Sequence, residues 1–192
     1  MKRLFFFGAF VLLSAFAALA QGPSTWQIDP AHSNAQFTVR HLGISNVQGE
    51  FTKVGGSIQL NEQEVTKSSV TATVEMASVD TRNSDRDNDL KSANFFDVAK
   101  YPTMTFTSKG ILRATDGKLQ MTGDLTLHGV TREVTFTVDG PSDAIKDPWG
   151  NARRGASAAT KIHRSDFGIT KYPSTMIGED VNITLDVEFT KK

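Results

Sequence analysis

The feature that most constrains this chain is a period-two alternation of apolar and polar side chains. Near the C-terminus, Val181, Ile183, Leu185, Val187 and Phe189 alternate with polar residues. Successive side chains of a β-strand point to opposite faces, so this pattern gives a strand one apolar and one polar face. Short clusters of glycine, asparagine and aspartate separate such segments, which is typical of antiparallel strands joined by turns. The sequence therefore predicts an all-β protein.

The same pattern predicts about eight strands and a single short helix. The predicted strands lie near residues 33–42, 45–60 (as one or two strands), 68–79, 103–114, 117–128, 130–139, 155–165 and 179–190. The segment 84–92 is predicted as a short, charged helix that forms a lid or plug, with Ser84 or Asp85 as its cap. The proline- and glycine-containing segment 140–155 is predicted as a long loop.

Eight antiparallel strands with one apolar face can pack as a sandwich or close into a barrel. Closure is favoured because it removes exposed sheet edges. Strands of about ten residues rise about 33 Å, and a tilt near 40° gives a barrel roughly 25 Å tall. This height approaches the roughly 30 Å hydrocarbon thickness of a bilayer. An apolar tube of this size could shelter an extended lipid chain.

The N-terminus is predicted to be a cleaved secretory signal. Two basic residues begin the chain, Leu4–Ala17 is apolar, and the small residues Ala18–Ala20 suit a cleavage site. The apolar run is shorter than the roughly 20 residues of a spanning helix. We expect residues 1–20 to be removed and residues 21–192 to form one domain in the periplasm, without stable membrane insertion.

Composition argues against several classes of function. The chain has 21 basic and 21 acidic residues, and this near-neutrality argues against a nucleic-acid partner. It has no cysteine, which excludes disulfides, thiol nucleophiles and thiolate metal sites. The histidines His32, His41, His128 and His163 lack the spacing of zinc ligands, so no metal site is predicted.

Asp29, His32 and Ser33 have the residue types of a catalytic triad, but their spacing does not support one. The G-x-S-x-G motif of a nucleophile elbow is also missing from the sequence. We expect Asp29 and Ser33 to bond local backbone amides instead. The protein is therefore predicted not to be an enzyme, and no catalytic residue is assigned.

Several segments of the chain resemble the YceI-like polyisoprenoid-binding family. The segments that carry the resemblance are Trp26–Ser33, Phe37–His41, Gly49–Phe51, Arg86–Ser92, Asn94–Asp97, Tyr101–Pro102, Gly123–Thr131 and Arg164–Gly168. The resemblance implies an extended eight-stranded, lipocalin-like antiparallel barrel, exported in Gram-negative bacteria. It also implies a lumen that takes polyisoprenoids, isoprenoid quinones or fatty amides, with no cofactor other than such a bound polyisoprenoid or quinone.

The chain departs from this family at a few positions. Ala156 stands where members of the family often carry an aromatic residue, and it would widen the cavity locally. Asn88 and Asp89 replace an acidic residue and a histidine, so a role of that histidine in relatives does not transfer to this chain.

The ligand is expected to contact side chains that point into the lumen. The candidates are Phe37, Val39, His41, Phe51, Val74, Met76, Phe95, Phe96, Met104, Phe106, Leu125, Leu127, Val134, Phe136, Ile162, Arg164, Ile183 and Leu185. His41 shares the parity of Phe37 and could bond a ligand head group or a nearby carbonyl. Phe95 and Phe96 are expected to gate the lumen, with packing under the helix as the alternative.

Two arginines are further candidates for holding a ligand. Arg86 and Arg164 could each bind an anionic head group. The favoured alternative is that they pair with Asp87, Asp97 or Asp166 and pin the helix across the barrel.

The sequence thus predicts a soluble exported carrier, or sequestering protein, for a long apolar lipid. Two alternatives stay open. The first is a lipid-modifying enzyme with an acid or base in the lumen, such as His41. The second is a structural or stress-response barrel filled by its own side chains. The oligomeric state, including a homodimer, also stays open.

Overall fold

The computed structural model describes residues 22–192 and, within them, twelve strand segments and one α-helix. The strands are β1 (Ser24–Ile28), β2 (Asn34–His41), β3 (Ser45–Phe51), β4 (Val54–Leu60), β5 (Ser69–Glu75), β6 (Val79–Asp80), β7 (Thr103–Arg113), β8 (Leu119–Leu127), β9 (Val130–Asp139), β10 (Ile145–Lys146), β11 (Ala152–His163) and β12 (Ile177–Lys191), and the helix is α1 (Ser84–Lys91). The helices of this region are all too short or too polar to cross a membrane. The predicted signal at residues 1–20 lies outside the described residues.

In this part of the chain, eight long strands form a closed antiparallel barrel, because six of the segments act in pairs. β1 and β2 both run antiparallel to β12 and form one bent strand. The next bent strand consists of β4, which pairs with β1, and β3, which pairs with β2. The third consists of β5, which pairs with β4, and β6, which pairs with β3. β12 closes the barrel between β11 and the first strand. The prediction of an eight-stranded antiparallel barrel with one helix is confirmed.

Some strand bounds differ from the prediction. β1 was not predicted as a strand of its own; the helical turn Pro30–His32, which Asp29 caps, separates it from β2. The predicted loop 140–155 contains β10, and β11 already begins at Ala152 because its first residues pair with both β10 and β12. The helical turn Met76–Ser78 divides β5 from β6.

One end of the barrel is sealed by Trp26. Its side chain is 1% exposed, and its ring packs edge-on against Phe189 at 5.6 Å between centroids. The indole Nε1 donates to Ser24 Oγ at 2.8 Å. The Arg154 guanidinium and the Lys191 ammonium lie 5.4 and 5.7 Å from the ring centroid, a distance at which cations are attracted to an aromatic face. Trp26 is therefore well packed, and its indole N–H has a hydrogen-bond partner.

The opposite end is covered by α1 and the segment after it. The cap of α1 is Asn83, whose side chain accepts from Arg86 N at 2.9 Å, and not Ser84 or Asp85. The reason is backbone conformation: Asn83 is extended, as a cap must be, whereas Ser84 is already helical. Thr81 N and Oγ1 donate to Asp87 Oδ1 at 2.9 and 2.6 Å. These bonds tie the helix to the end of β6.

Candidate functional site

Two cavities lie within the barrel formed by the described residues, with volumes of about 150 and 90 Å³. Compartment one, the larger, extends from the sealed end, where Ile28 and Phe189 line it, to the middle of the barrel. Compartment two lies beneath the helix and is lined there by Leu90 and Phe96. The interior is therefore not filled by its own side chains, as a purely structural barrel would require.

The walls of both compartments are almost wholly apolar. In compartment one the residues with polar side chains are Ser68 and Thr105, and in compartment two they are Gln36 and Arg164. Ser68 Oγ accepts from Asn61 N at 3.0 Å, and Gln36 is exposed on the outer face of β2. Among the described residues, neither wall includes a carboxylic acid or a histidine. The parts of the walls that the structure describes are thus lined chiefly by hydrocarbon side chains.

Most of the predicted ligand-binding residues line one of these compartments. Those in compartment one are Val74, Phe106, Leu125, Phe136 and Leu185. Those in compartment two are Phe37, Val39, Phe51, Phe95, Phe96, Leu127, Ile162 and Arg164. Met104 and Ile183 line both. The alternation along each strand explains this placement, because residues of one parity share the inner face.

The structure does not place His41, Met76 and Val134 on either wall. His41 ends β2 beyond compartment two and is half-buried. Met76 is 1% exposed but lies in a helical turn, where the strand parity that predicted its direction no longer applies. Val134 faces inward and packs against the core without reaching a cavity. The lumen is therefore shorter than the strands suggested.

Small side chains leave much of the space in the lumen, and the alternation pattern alone does not reveal them. Ala35, Ala72 and Ala158 line compartment one although none was predicted to do so. Their strand parity places them inside, but alanine is also common on outer faces. Ala156 lines the same compartment, where an aromatic side chain would occupy part of the volume.

Arg164 is committed to the protein's own backbone. Its side chain is 5% exposed and donates to four carbonyls between residues 169 and 178 at 2.6–3.1 Å. It also pairs with Glu179 Oε1 at 2.9 Å. Its partner is therefore Glu179 rather than Asp87, Asp97 or Asp166. All of its guanidinium nitrogens are engaged, so it holds the loop before β12.

Arg86 likewise bonds the protein, although its partner was not predicted. Its Nε donates to Thr81 Oγ1 and its Nη2 to Thr81 O, both at 2.8 Å. The arginine therefore pins α1 to β6 through Thr81 and not through an acidic residue.

Phe96 packs against Phe51 at 5.7 Å and Phe95 against Tyr172 at 5.4 Å between ring centroids. These two aromatic side chains extend the cover that α1 forms over compartment two.

A cluster of charged side chains lies at the sealed end, outside the lumen. Arg153 contacts Asp29 Oδ2 at 2.7 Å, Asp147 Oδ2 at 2.8 Å and Glu188 Oε1 at 2.5 Å. Hydrogen bonds from Arg153 and then from His32 lower the pKa of Asp29 to about 2. The Arg153 guanidinium also holds the pKa of Asp147 well below its usual range.

Three side chains of this charged cluster also have ligand atoms spaced closely enough for a metal ion. Those of Asp29, His32 and Glu188 lie within 4.8 Å of one another. Arg153 already forms ion pairs with both of these carboxylates, so we assign the cluster to ion pairing. Asp29 also accepts from Ala31 N at 2.9 Å, as predicted. Ser33 bonds the Glu188 backbone across the barrel wall rather than a local amide.

Comparisons with known proteins identify a domain family, a sequence relative and solved structures with the same fold. The model of the YceI-like domain matches residues 26–189. Protein YceI of Escherichia coli O157:H7 is 37% identical over 184 residues, which cover 94% of this chain and 92% of that protein.

Two solved structures share the barrel. The Campylobacter jejuni YceI protein is 35% identical, with a TM-score of 0.69 over 80% of this chain and 90% of its own. A polyisoprenoid binding domain from Saccharophagus degradans is 16% identical, with a TM-score of 0.65 over 87% of this chain and 98% of its own. The latter likeness concerns the fold alone. With the family model spanning nearly all of the barrel and the E. coli protein aligned along most of its length, this chain belongs to the YceI-like family.

Proposed function

We propose that this protein is a soluble exported carrier, or sequestering protein, that holds one long apolar lipid in its lumen and does not transform it. A polyisoprenoid, an isoprenoid quinone or a fatty amide fits this role. The observation that carries the proposal is the wall of the two compartments, in which the one ionisable side chain found among the described residues, Arg164, is fully bonded to the protein. Such a wall favours hydrocarbon and leaves a polar head group without a partner inside.

Burial of hydrocarbon supplies enough free energy for this role. Each CH₂ group removed from water contributes about 0.8 kcal/mol, so ten groups give roughly 8 kcal/mol. Loss of ligand freedom and ordering of the cover subtract from this amount. Micromolar to nanomolar binding therefore needs no strong polar contact.

The related barrel from S. degradans supports the ligand class. That protein is described as a polyisoprenoid binding domain, and it shares the fold with this chain. An export signal at residues 1–20 would bring the protein to the periplasm, where an apolar lipid needs shielding from water. The shared fold supports the ligand class, and the predicted signal supports the periplasmic location.

The test is native mass spectrometry of the mature protein purified from the periplasm, followed by extraction and identification of any released lipid. We expect a stoichiometric apolar lipid. Ala158→Phe, which fills part of compartment one, should reduce its occupancy, whereas Ala159→Phe on the exposed face of the same strand should not. An empty protein that also fails to bind added isoprenoids or quinones would contradict the proposal. Conversion of the bound lipid during incubation would point to an enzyme.

A further inference from the structure

The two compartments adjoin at a waist, which we define by the described residues that line both of them. These are Ala35 on β2, Met104 on β7 and Ile183 on β12. β2 and β12 are paired neighbours, with Ile183 opposite Phe37 and Leu185 opposite Ala35. Met104 belongs to a different part of the wall, where it pairs with Val74 of β5. All three side chains are at most 9% exposed.

The three side chains differ in their freedom to move. Ala35 has no rotatable side-chain torsion that could open the waist. Ile183 is β-branched and lies in a strand, where its first torsion is restricted. Met104 is unbranched, with three rotatable bonds and a polarisable sulfur that adapts to irregular space. Met104 is therefore the one of these three side chains that is best able to move aside by rotation about its own bonds.

The size of the compartments makes such a movement necessary for a long ligand. An engineered cavity of about 150 Å³ in another protein is large enough for benzene, and compartment one has about this volume. A chain much longer than this must continue past the waist into compartment two. Its passage displaces the Met104 side chain.

We propose that Met104 is a gate between the two compartments and that it determines how binding affinity depends on the chain length of the ligand. This inference rests on the proposed function and deepens it: the ligand is a single narrow apolar chain that threads both compartments. Short chains occupy compartment one and leave Met104 in place. Long chains turn Met104 aside and gain the apolar wall of compartment two.

The test uses a homologous series of saturated primary fatty amides, titrated into the mature protein. While compartment one fills, affinity rises about fourfold per added CH₂. At the length where the amide's hydrocarbon chain meets Met104, we expect the affinity to stay constant, in a plateau, over the next added CH₂ groups. It should then rise again with further length. Met104→Ala should remove the plateau, and Met104→Phe should turn it into an upper limit of affinity. Met121→Ala, at a methionine that lines compartment one alone, should keep the plateau.

A second measurement uses the wild-type side chain and so does not depend on the folding of a core variant. The chain has five methionines, at positions 1, 76, 104, 121 and 176, and their ε-methyl groups can be labelled with ¹³C for NMR. The signal that is lost in Met104→Leu identifies Met104. We expect short amides to shift the Met121 signal alone and long amides to shift both.

The outcomes separate the two proposals. If no amide of any length binds the wild-type protein and no isoprenoid or quinone binds either, the proposed function fails. If amides bind with a rise that shows no plateau, or if short and long amides shift the Met104 signal alike, the gate is overturned while the carrier function stands.

Discussion

At the residue scale, Arg164 shows how a charged side chain can face an apolar lumen and still have no role in binding. Its alkyl stem lines compartment two, while its guanidinium reaches the backbone of the loop that leads into β12. Buried charges are tolerated when they are paired and hydrogen-bonded. Arg132 provides a contrast, since it shares the strand parity of Val134 and Phe136 but is exposed and lines neither compartment.

We predict that Arg164→Met destabilises the protein by about 3 kcal/mol or more, because several carbonyls and Glu179 lose their partner in a buried place. Arg132→Met should change the free energy of unfolding by less than about 0.5 kcal/mol, because its one hydrogen bond is exposed. Urea denaturation measures both. If Arg164→Met is as stable as the wild type but loses affinity for an anionic lipid, the arginine binds a head group instead.

At the scale of elements, the cover over compartment two is held by few contacts. α1 has eight residues, of which Leu90 is buried, and it is tied to β6 through Thr81. Such segments open more readily than a paired sheet. A short cover of this kind suits a site that must exchange its ligand.

We predict that Asp87→Ala loosens this cover without unfolding the barrel, because Thr81 N and Oγ1 both lose their acceptor. Amide hydrogen exchange in residues 84–98 should increase several-fold, while β7 and β8 stay protected. Lipid association and dissociation should both become faster. Asp85→Ala, in the exposed first turn of α1, is the matched control and should behave like the wild type. Equal protection in the two variants would show that the helix is held in another way.

At the scale of the whole molecule, Arg153 joins distant parts of the chain at the sealed end. Its partners come from the turn after β1, the loop between β10 and β11, and β12. The cluster therefore links the first strand of the barrel with its last two. Ion pairs across such a closure should contribute to stability as a function of pH.

The pKa of Asp29 falls from 3.8 to about 2 on folding, and that of Asp147 also falls. A lowered pKa stabilises the folded state above the unfolded value, and this contribution is lost as pH falls towards the folded value. We predict that the urea midpoint drops between about pH 4 and pH 2, and that Arg153→Met reduces this drop. Lys146→Met, an exposed change at the end of β10 and next to Asp147, should retain it. An unchanged pH profile in Arg153→Met would contradict this assignment.

Much of the lumen followed from the sequence, because strand parity is a local property. Phe106, Leu125 and Ile183 could be placed on the inner face from alternation alone. His41 and Met76 could not, since a turn or strand end moves a side chain without changing the pattern around it. The partners of Arg164 were also hidden, because backbone carbonyls leave no mark in a sequence.

By itself, the sequence determined the all-β class, the number of long strands and the apolar inner face, all of which depend on which residues alternate. Only the tertiary structure decided how far the lumen extends, where Trp26 seals it and where Ala35, Met104 and Ile183 stand between its two compartments. These features depend on which side chains meet across the barrel from strands far apart in the chain. Their separation is set by strand register and closure, and a periodic pattern along one strand does not contain that information.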